Sequence, residues 1–352
     1  MRSNPTAGLL ASLFSTGPRL SLTRGRRLIC AAGLALGVLA TPLTAVAAEP
    51  DMRVVLLGTG SPVPLMDRWG PSTLVEAGSH RFLFDAGRGV PVRLWQIGIP
   101  TGALDAVFLT HFHSDHTVGL PDLWLTGALG GGFGERKAPF HVIGPVGTQD
   151  LIDGLKKAYA SDIKARLDEG KANGNVKPVI GFETKVDEFA AAGVVYDQDG
   201  VKVTAFDVNH GDEIKPAVGY RIDYKGRSVL ISGDTRKNDN VIKYGRGVDV
   251  LVHEVASAKP DLMRVPIIKL IVHHHTTPAE AGEVFTAARP KMAVYTHLVL
   301  LSSKTIPAPS VEDVVQETRT TYAGPLTVGE DLTTIDVGDT VTVHRVHPAA
   351  KW

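Results

Sequence analysis

A cluster of metal-binding side chains directly after an apolar segment is the feature that most constrains the fold. The segment LDAVFLTH, residues 104–111, predicts a buried strand, and His111, His113, Asp115 and His116 follow within six positions at its end. Imidazole nitrogens and carboxylate oxygens are ligands that Zn²⁺ accepts, and α/β proteins place their sites beyond strand ends. The sequence therefore predicts an α/β fold with a metal site at a strand end. A surface histidine cluster is the alternative, which four ligands in six positions disfavour.

The N-terminal residues 1–47 differ from the rest of the chain and predict an export signal. Residues 1–27 are basic and hold no acid, residues 28–40 form an apolar run, and an A-V-A cleavage sequence ends at Ala47. The Arg26-Arg27 pair is typical of twin-arginine export. The apolar run is shorter than the ~20 residues that span a bilayer, so cleavage is favoured over a retained anchor. A periplasmic or secreted location follows.

Charge and cysteine content limit the partners and the metal ligands. Removal of residues 1–47 takes away five arginines and no acid, so the remaining chain has 32 basic and 37 acidic residues. A net acidic protein has no general attraction for a polyanion, so a nucleic-acid partner is not expected. The single cysteine, Cys30, lies in the predicted signal, so histidine and carboxylate side chains must hold any metal. No stable membrane insertion is expected after cleavage.

Strands and helices alternate through residues 48–352, which are predicted to form a single domain with a helical insertion at 147–195. Thr277 is predicted to cap a helix that starts at Pro278, with Glu280 completing a capping box. The apolar segment 262–272 is expected in the core, with a substrate-pocket wall and a dimer contact as alternatives. Further apolar and alternating segments predict strands or hairpins at 52–64, 72–89, 200–210, 217–235, 248–254, 291–297 and 333–345.

The segment HFHSDH also matches the H-x-H-x-D-H motif of the metallo-β-lactamase superfamily. LLGTGSP, FDAGRG and SGDT resemble further segments of that superfamily, in the same order along the chain. DVLVHE, HHTTPAEAGEVF and YTH are similar to the branch that contains ribonuclease Z and arylsulfatase-like enzymes. The resemblance implies a four-layer αββα sandwich and a site for two Zn²⁺ ions, with Mn²⁺ or Fe as alternatives.

Carried over onto matching positions, the resemblance implies seven metal ligands. Three of them, His210, Asp234 and His297, also follow predicted strands. Asp85, in FDAG, is expected either to orient a ligand histidine or to cap a turn. The implied ligands are His111, His113 and His210 for one metal, Asp115, His116 and His297 for the other, and Asp234 as the bridge.

A proton donor for the leaving group is the second requirement of such a site. In the ribonuclease Z-like branch a Glu in H-E-A-T and a His in H-S/T-T serve this step, and HEVA and HHTT place Glu254 and His275 there. Their pairing would keep the imidazole charged. Val-Ala replaces the usual Ala-Thr, and His273 and His274 remain alternatives to His275. The predicted catalytic residues are Asp115, Glu254 and His275.

The sequence indicates first an exported binuclear-zinc hydrolase that cleaves small phosphodiesters or sulfate esters through a metal-bound hydroxide. One alternative is a lactonase or β-lactamase-type hydrolase of a cyclic carbonyl substrate. Another is a ribonuclease Z-like 3′-tRNA endonuclease, which residues 165–189 disfavour because they lack a Gly/Pro-rich arm. The non-enzyme alternative is a binding protein that has lost its chemistry. A small-molecule ester is the expected partner, and a homodimer is left open.

Overall fold

The computed structural model describes residues 49–174 and 179–345. The predicted export signal, residues 1–47, lies outside these ranges, so the prediction that it is cleaved stays a prediction. Within the described ranges, no helix combines the length and the apolar character that crossing a membrane requires.

Fifteen strands in the described part of the chain form two sheets. They are β1 (Met52–Gly58), β2 (Ser72–Ala77), β3 (His80–Phe84), β4 (Ala106–Phe108), β5 (Phe140–Pro145), β6 (Thr184–Phe189), β7 (Gly193–Gln198), β8 (Val201–Asp207), β9 (Val218–Tyr224), β10 (Arg227–Ile231), β11 (Val250–Ala258), β12 (Met292–Leu301), β13 (Leu326–Val328), β14 (Thr333–Val337) and β15 (Val341–Arg345). The first sheet has the order β15-β14-β1-β2-β3-β4-β5-β6, and the second has the order β13-β12-β11-β10-β9-β8-β7.

Nine α-helices accompany these strands in the described residues. They are α1 (Val90–Gln96), α2 (Ser114–Thr117), α3 (Leu120–Ala128), α4 (Thr148–Ala158), α5 (Ala160–Ala172), α6 (Asp239–Gly245), α7 (Pro266–His274), α8 (Pro278–Ala288) and α9 (Val311–Arg319). The predicted capping box at the start of α8 is confirmed, because the Thr277 and Glu280 side chains each accept a hydrogen bond from the other residue's backbone N–H.

Three hydrophobic cores separate four layers. The two sheets face each other across a core that contains Phe82 and Tyr220. Leu94, Trp124 and Ile152 attach α1, α3 and α4 to the outer face of the first sheet. On the other side, α6, α8 and α9 cover the second sheet through Val241, Phe285 and Val314. Because these six helices bury one face against a sheet, the predicted αββα sandwich is confirmed.

Two strands that carry site residues are longer than the sequence predicts. β11 continues past Glu254 to Ala258, and β12 continues past His297 to Leu301, with the extensions still paired in parallel. The prediction that both strands end at these polar residues is therefore wrong. The small and apolar residues that follow, VASA and LVLL, continue both strands, and most of them are buried.

In the described part of the segment 147–195, the α-helices α4 and α5 lie in the first half. β6 then joins the edge of the first sheet, and β7 begins at Gly193 at the edge of the second. In β6, exposed charged residues such as Lys185 and Asp187 interrupt half-buried positions. The alternation extends over only four residues, 184–187, before the exposed Glu188 breaks it, so the sequence signal for a strand is weak.

The apolar segment 262–272, expected in the core, is only partly buried. Ile268 and Val272 on α7 are buried, whereas Ile267 and Leu270 are 59 % and 48 % exposed. The helix therefore presents apolar side chains to solvent as well as to the core.

Candidate metal centre

The seven predicted ligands come together from four segments. These are the turn between β4 and α2 together with α2 itself, the loop after β8, the loop after β10, and the middle of β12. His113 is exposed, and the other six are buried, namely His111, Asp115, His116, His210, Asp234 and His297.

The Asp234 carboxylate lies at the centre of the site. Its Oδ2 atom faces the Nε2 atoms of four imidazoles, at 3.3 Å from His297, 3.4 Å from His116, 3.6 Å from His210 and 4.0 Å from His111. One carboxylate oxygen can therefore reach ligands of both implied metals, as a bridging position requires.

The ligand atoms form the two groups that the resemblance implies. Within each group every ligand atom lies within 4.8 Å of the others. One group is His111, His113, His210 and Asp234, and the other is Asp115, His116 and His297.

The spacing and the unpaired nitrogens fit divalent cations. Bonds of about 2.0–2.1 Å at tetrahedral angles place ligand atoms roughly 3.3–3.4 Å apart. His113 Nδ1 and His210 Nε2 are 3.2 Å apart. The Nε2 atoms of His111 and His116 are buried without a hydrogen-bond partner among the described residues. Because buried polar atoms are normally paired, these two nitrogens are suited to bind a cation.

Asp85 and Thr110 orient two of the ligand imidazoles. Asp85 accepts from the Thr110 N–H and hydroxyl, each at 2.8 Å, and its Oδ2 lies 2.8 Å from His116 Nδ1. The Thr110 oxygen then accepts from His111 Nδ1, 3.0 Å away. Both imidazoles therefore carry their proton on Nδ1 and turn a free Nε2 toward the site. Of the two expectations for Asp85, the geometry favours orientation of a ligand. The sequence analysis did not predict this role for Thr110. The only sequence signal for it is its position directly before His111.

Replacement of Thr110 with valine is expected to weaken metal binding by about 10- to 100-fold, because His111 loses the acceptor that fixes its tautomer. The dissociation constant for Zn²⁺, measured by competition with a chromophoric chelator, tests this. Thr334→Val is the matched control, since Thr334 is also buried but its hydroxyl faces the Leu332 carbonyl. Equal affinity in both variants would contradict the orienting role.

The charges around the site favour an ionised Asp234 and neutral His111 and His210, whereas they favour the protonated form of His116. Burial lowers the pKa of His210 to about 4 and holds the pKa of His111 well below its usual value. Burial also opposes ionisation of Asp234, but the surrounding histidines outweigh it and hold the pKa of that carboxyl well below its usual range. For His116, the carboxylates of Asp234 and Asp85 outweigh burial and raise the pKa well above its usual value. A cation that binds there would replace that proton.

Glu254 and His275 form a buried pair beside the ligands. Glu254 Oε2 lies 3.1 Å from His275 Nδ1, and its Oε1 accepts from the Thr276 N–H at 2.8 Å. Burial lowers the pKa of His275, but the Glu254 carboxylate outweighs it and raises that pKa to about 9. The imidazole is therefore protonated at neutral pH, within 4.8 Å of Asp234 and His297 ligand atoms.

The two neighbouring histidines have other contacts. His273 is exposed, and its carbonyl accepts a hydrogen bond from Arg236 at 2.6 Å. The His274 carbonyl accepts from His210 Nδ1 at 2.9 Å, which leaves His210 Nε2 free to face Asp234. Of the three, His275 is the one whose imidazole contacts Glu254.

His297 reaches the site through an irregularity in its strand. The register between β11 and β12 shifts opposite this residue, and its φ is 44°, in the left-handed region. Such a conformation costs about 1–3 kcal/mol in a residue other than glycine and recurs at functional sites. A bulge therefore directs His297 into the site while β12 continues beyond it.

Residues 80–298 match the family described as "Beta-lactamase superfamily domain". The match covers more than half of the chain and contains every predicted ligand. The chain belongs to the metallo-β-lactamase superfamily. The resemblance seen in the motifs is thus confirmed. The chain is a hydrolase of this superfamily, and its candidate metal-binding side chains lie together in one site.

Within the superfamily, the similar curated proteins include ribonuclease Z of Mycobacterium bovis. It is 36 % identical over 291 residues, which cover 81 % of this chain and 98 % of that protein. Ribonuclease Z of Mycobacterium marinum is 35 % identical over 288 residues, which cover 81 % of this chain and 99 % of that protein.

Solved structures share the metallo-β-lactamase fold at lower identity. The metallo-β-lactamase fold protein YhfI of Bacillus subtilis has a TM-score of 0.62 and 18 % sequence identity. The superposition covers 84 % of this chain and 100 % of YhfI. The short form of human tRNase Z has a TM-score of 0.59 and 22 % sequence identity. The superposition covers 81 % of this chain and 99 % of the human chain.

Proposed function

We propose that this protein is a metal-dependent phosphodiesterase of the ribonuclease Z type. The observation that carries the proposal is the Glu254–His275 pair beside the ligand cluster, because hydrolysis of an ester with a poor leaving group needs a proton donor there. Relatives named ribonuclease Z support a phosphodiester bond over a sulfate ester or a cyclic carbonyl. They favour the ribonuclease alternative over the small-ester hydrolase that the sequence indicates first.

The proposed chemistry divides between the metals and the chain. Two divalent cations, proposed as Zn²⁺, would act as Lewis acids and activate a water molecule as the nucleophile. Asp234 would hold the two ligand groups at a fixed spacing. His275 would donate a proton to the departing oxygen, and Glu254 would keep that imidazole charged and oriented.

Small phosphodiesters are the second candidate substrate. No lysine or arginine is among the described residues that line the cavity at the ligands. A polynucleotide is usually gripped through its phosphates by such cations. Export of the mature chain, proposed from residues 1–47, would also separate the enzyme from cytoplasmic RNA.

Purified mature chain is expected to hydrolyse bis(4-nitrophenyl) phosphate, to lose that activity in a chelator, and to regain it with Zn²⁺. The metal content is counted by mass spectrometry. A precursor tRNA with a 3′ trailer, 4-nitrophenyl sulfate, a lactone and nitrocefin are assayed in parallel under the same conditions.

Trailer removal would identify RNA as the substrate, whereas turnover of the small diester alone would favour the second candidate. Hydrolysis of only the lactone or nitrocefin would contradict the phosphodiesterase proposal. Turnover of only the sulfate ester would contradict it as well.

A further inference from the structure

A cavity of about 280 Å³ opens on the metal ligands. The polar side chains that line it include His113, Asp234, His275 and His297. The volume is slightly below the ~300–1,000 Å³ of most small-molecule pockets, so it suits one ring or a short alkyl chain.

Three separate segments give this cavity apolar walls. Pro62 and Val63 lie in the loop after β1, and Ile271 lies on α7. The extension of β12 beyond His297 contributes the third wall, which consists of Val299, Leu300 and Leu301.

The loop that carries Pro62 and Val63 is held in place by a buried carboxylate. Asp331 is 1 % exposed and accepts from the backbone N–H groups of Thr59 and Trp69, each at 2.9 Å. Arg93 donates to the same carboxylate at 2.7 Å. Both ends of the loop are therefore tied to the fold, which limits how far Pro62 and Val63 can move away from the cavity.

Apolar walls beside these polar side chains discriminate between substituents. An apolar group gains free energy as its surface leaves water, whereas a sugar or a charged group loses hydration there without gaining partners. The metal-binding cluster would bind the phosphate group of the ester. The apolar walls would contact the substituent attached to that phosphate.

We infer that this cavity is a subsite for an apolar substituent of the scissile ester, and that the substrate is a phosphodiester with an aryl or alkyl arm. The inference rests on the proposed phosphodiesterase function, and within that function it selects the second candidate substrate, a small diester, over RNA. The wall residues Ile271 and Leu301 determine the preference.

The test uses three diesters that share 4-nitrophenolate as the leaving group. Their second arms are phenyl, methyl and thymidine 5′-yl. Wild-type enzyme is expected to favour phenyl over methyl and thymidine by about tenfold or more in kcat/KM, the usual size of apolar pocket discrimination. Ile271→Asn and Leu301→Asn should remove most of that preference, because kcat/KM for the phenyl diester falls toward the value for the methyl diester.

Ile267→Asn is the matched control, because Ile267 lies on the same helix but is exposed and does not line the cavity. It should keep the wild-type preference. Metal content and melting temperature of all variants show whether a changed preference reflects the wall or a damaged fold.

Equal rates for the three arms, or preference for thymidine or for the precursor tRNA, would overturn the inference. Failure to cleave any diester would instead reject the phosphodiesterase function. Calorimetry then tests the subsite alone, since phenylphosphonate should bind the zinc-loaded protein about tenfold more tightly than methylphosphonate. Equal affinities, or a difference that persists in Ile271→Asn, would overturn the subsite.

Discussion

Replacement of His275 with glutamine is expected to slow hydrolysis of an alkyl phosphodiester by about 10²- to 10⁴-fold, the usual contribution of a positioned general acid. The structure gives the reason, because Glu254 holds the imidazole 3.1 Å away and raises its pKa to about 9. Glutamine keeps much of the size and can still meet Glu254, but it has no proton to transfer.

The loss should depend on the leaving group. A 4-nitrophenolate departs without a proton, so His275→Gln should affect a nitrophenyl diester far less than an alkyl diester. The measurement is kcat for both substrates in wild type and variant, with metal content determined on the same samples.

His273→Gln is the matched control, since this neighbouring histidine is exposed and only its carbonyl is in a described hydrogen bond. It should behave as wild type. An equal loss for both leaving groups, together with loss of bound metal from His275→Gln, would make His275 a ligand, an assignment that its closeness to Asp234 and His297 also allows.

Local sequence patterns predicted the parts of the fold that local physics determines. The β2–β3 and β9–β10 hairpins occur as predicted, because Gly78 and the Lys225-Gly226 pair take the positive φ values that their turns require. HFHSDH was predicted as a site because it follows an apolar strand directly, and β4 ends three residues before His111.

Features that depend on distant segments were not predictable in this way. β11 and β12 continue past Glu254 and His297 because each extension finds its partner in the other strand. A single strand's sequence does not contain that pairing. The same extension supplies Leu301 to the cavity, so the missed strand residues are also the ones that bear on substrate choice.

In the candidate site, too, local features could be predicted from the sequence, whereas contacts between distant segments could not. Ligand identities follow from motifs, but distances between loops far apart in sequence do not. The role of Thr110 depends on Asp85, 25 residues earlier, and on the tautomers of two histidines. No local pattern marks a threonine for such a role, since most threonines at strand ends are structural.

Replacement of Asp234 with asparagine is expected to lower metal content from the proposed two ions per chain to one or fewer, and to reduce hydrolysis by at least about 10³-fold. The Oδ2 atom lies within 4.0 Å of four imidazole nitrogens, so one substitution removes the negative charge that both ligand groups share. Buried cations that lose a compensating carboxylate are strongly destabilised. A metal-derived contribution of several kcal/mol to the transition state corresponds to about a thousandfold in rate.

Asp249→Asn separates loss of the site from loss of a buried carboxylate in general. Asp249 is 3 % exposed and accepts from the Ser228 N–H at 2.7 Å, and its other oxygen pairs with Lys291 at 2.6 Å. This variant should lose stability while it keeps both metal ions and its activity per folded molecule. Mass spectrometry under native conditions counts the ions in each variant. Two ions and activity within tenfold of wild type in Asp234→Asn would show that Asp234 does not join the two ligand groups, because the remaining histidines would then suffice to hold the pair.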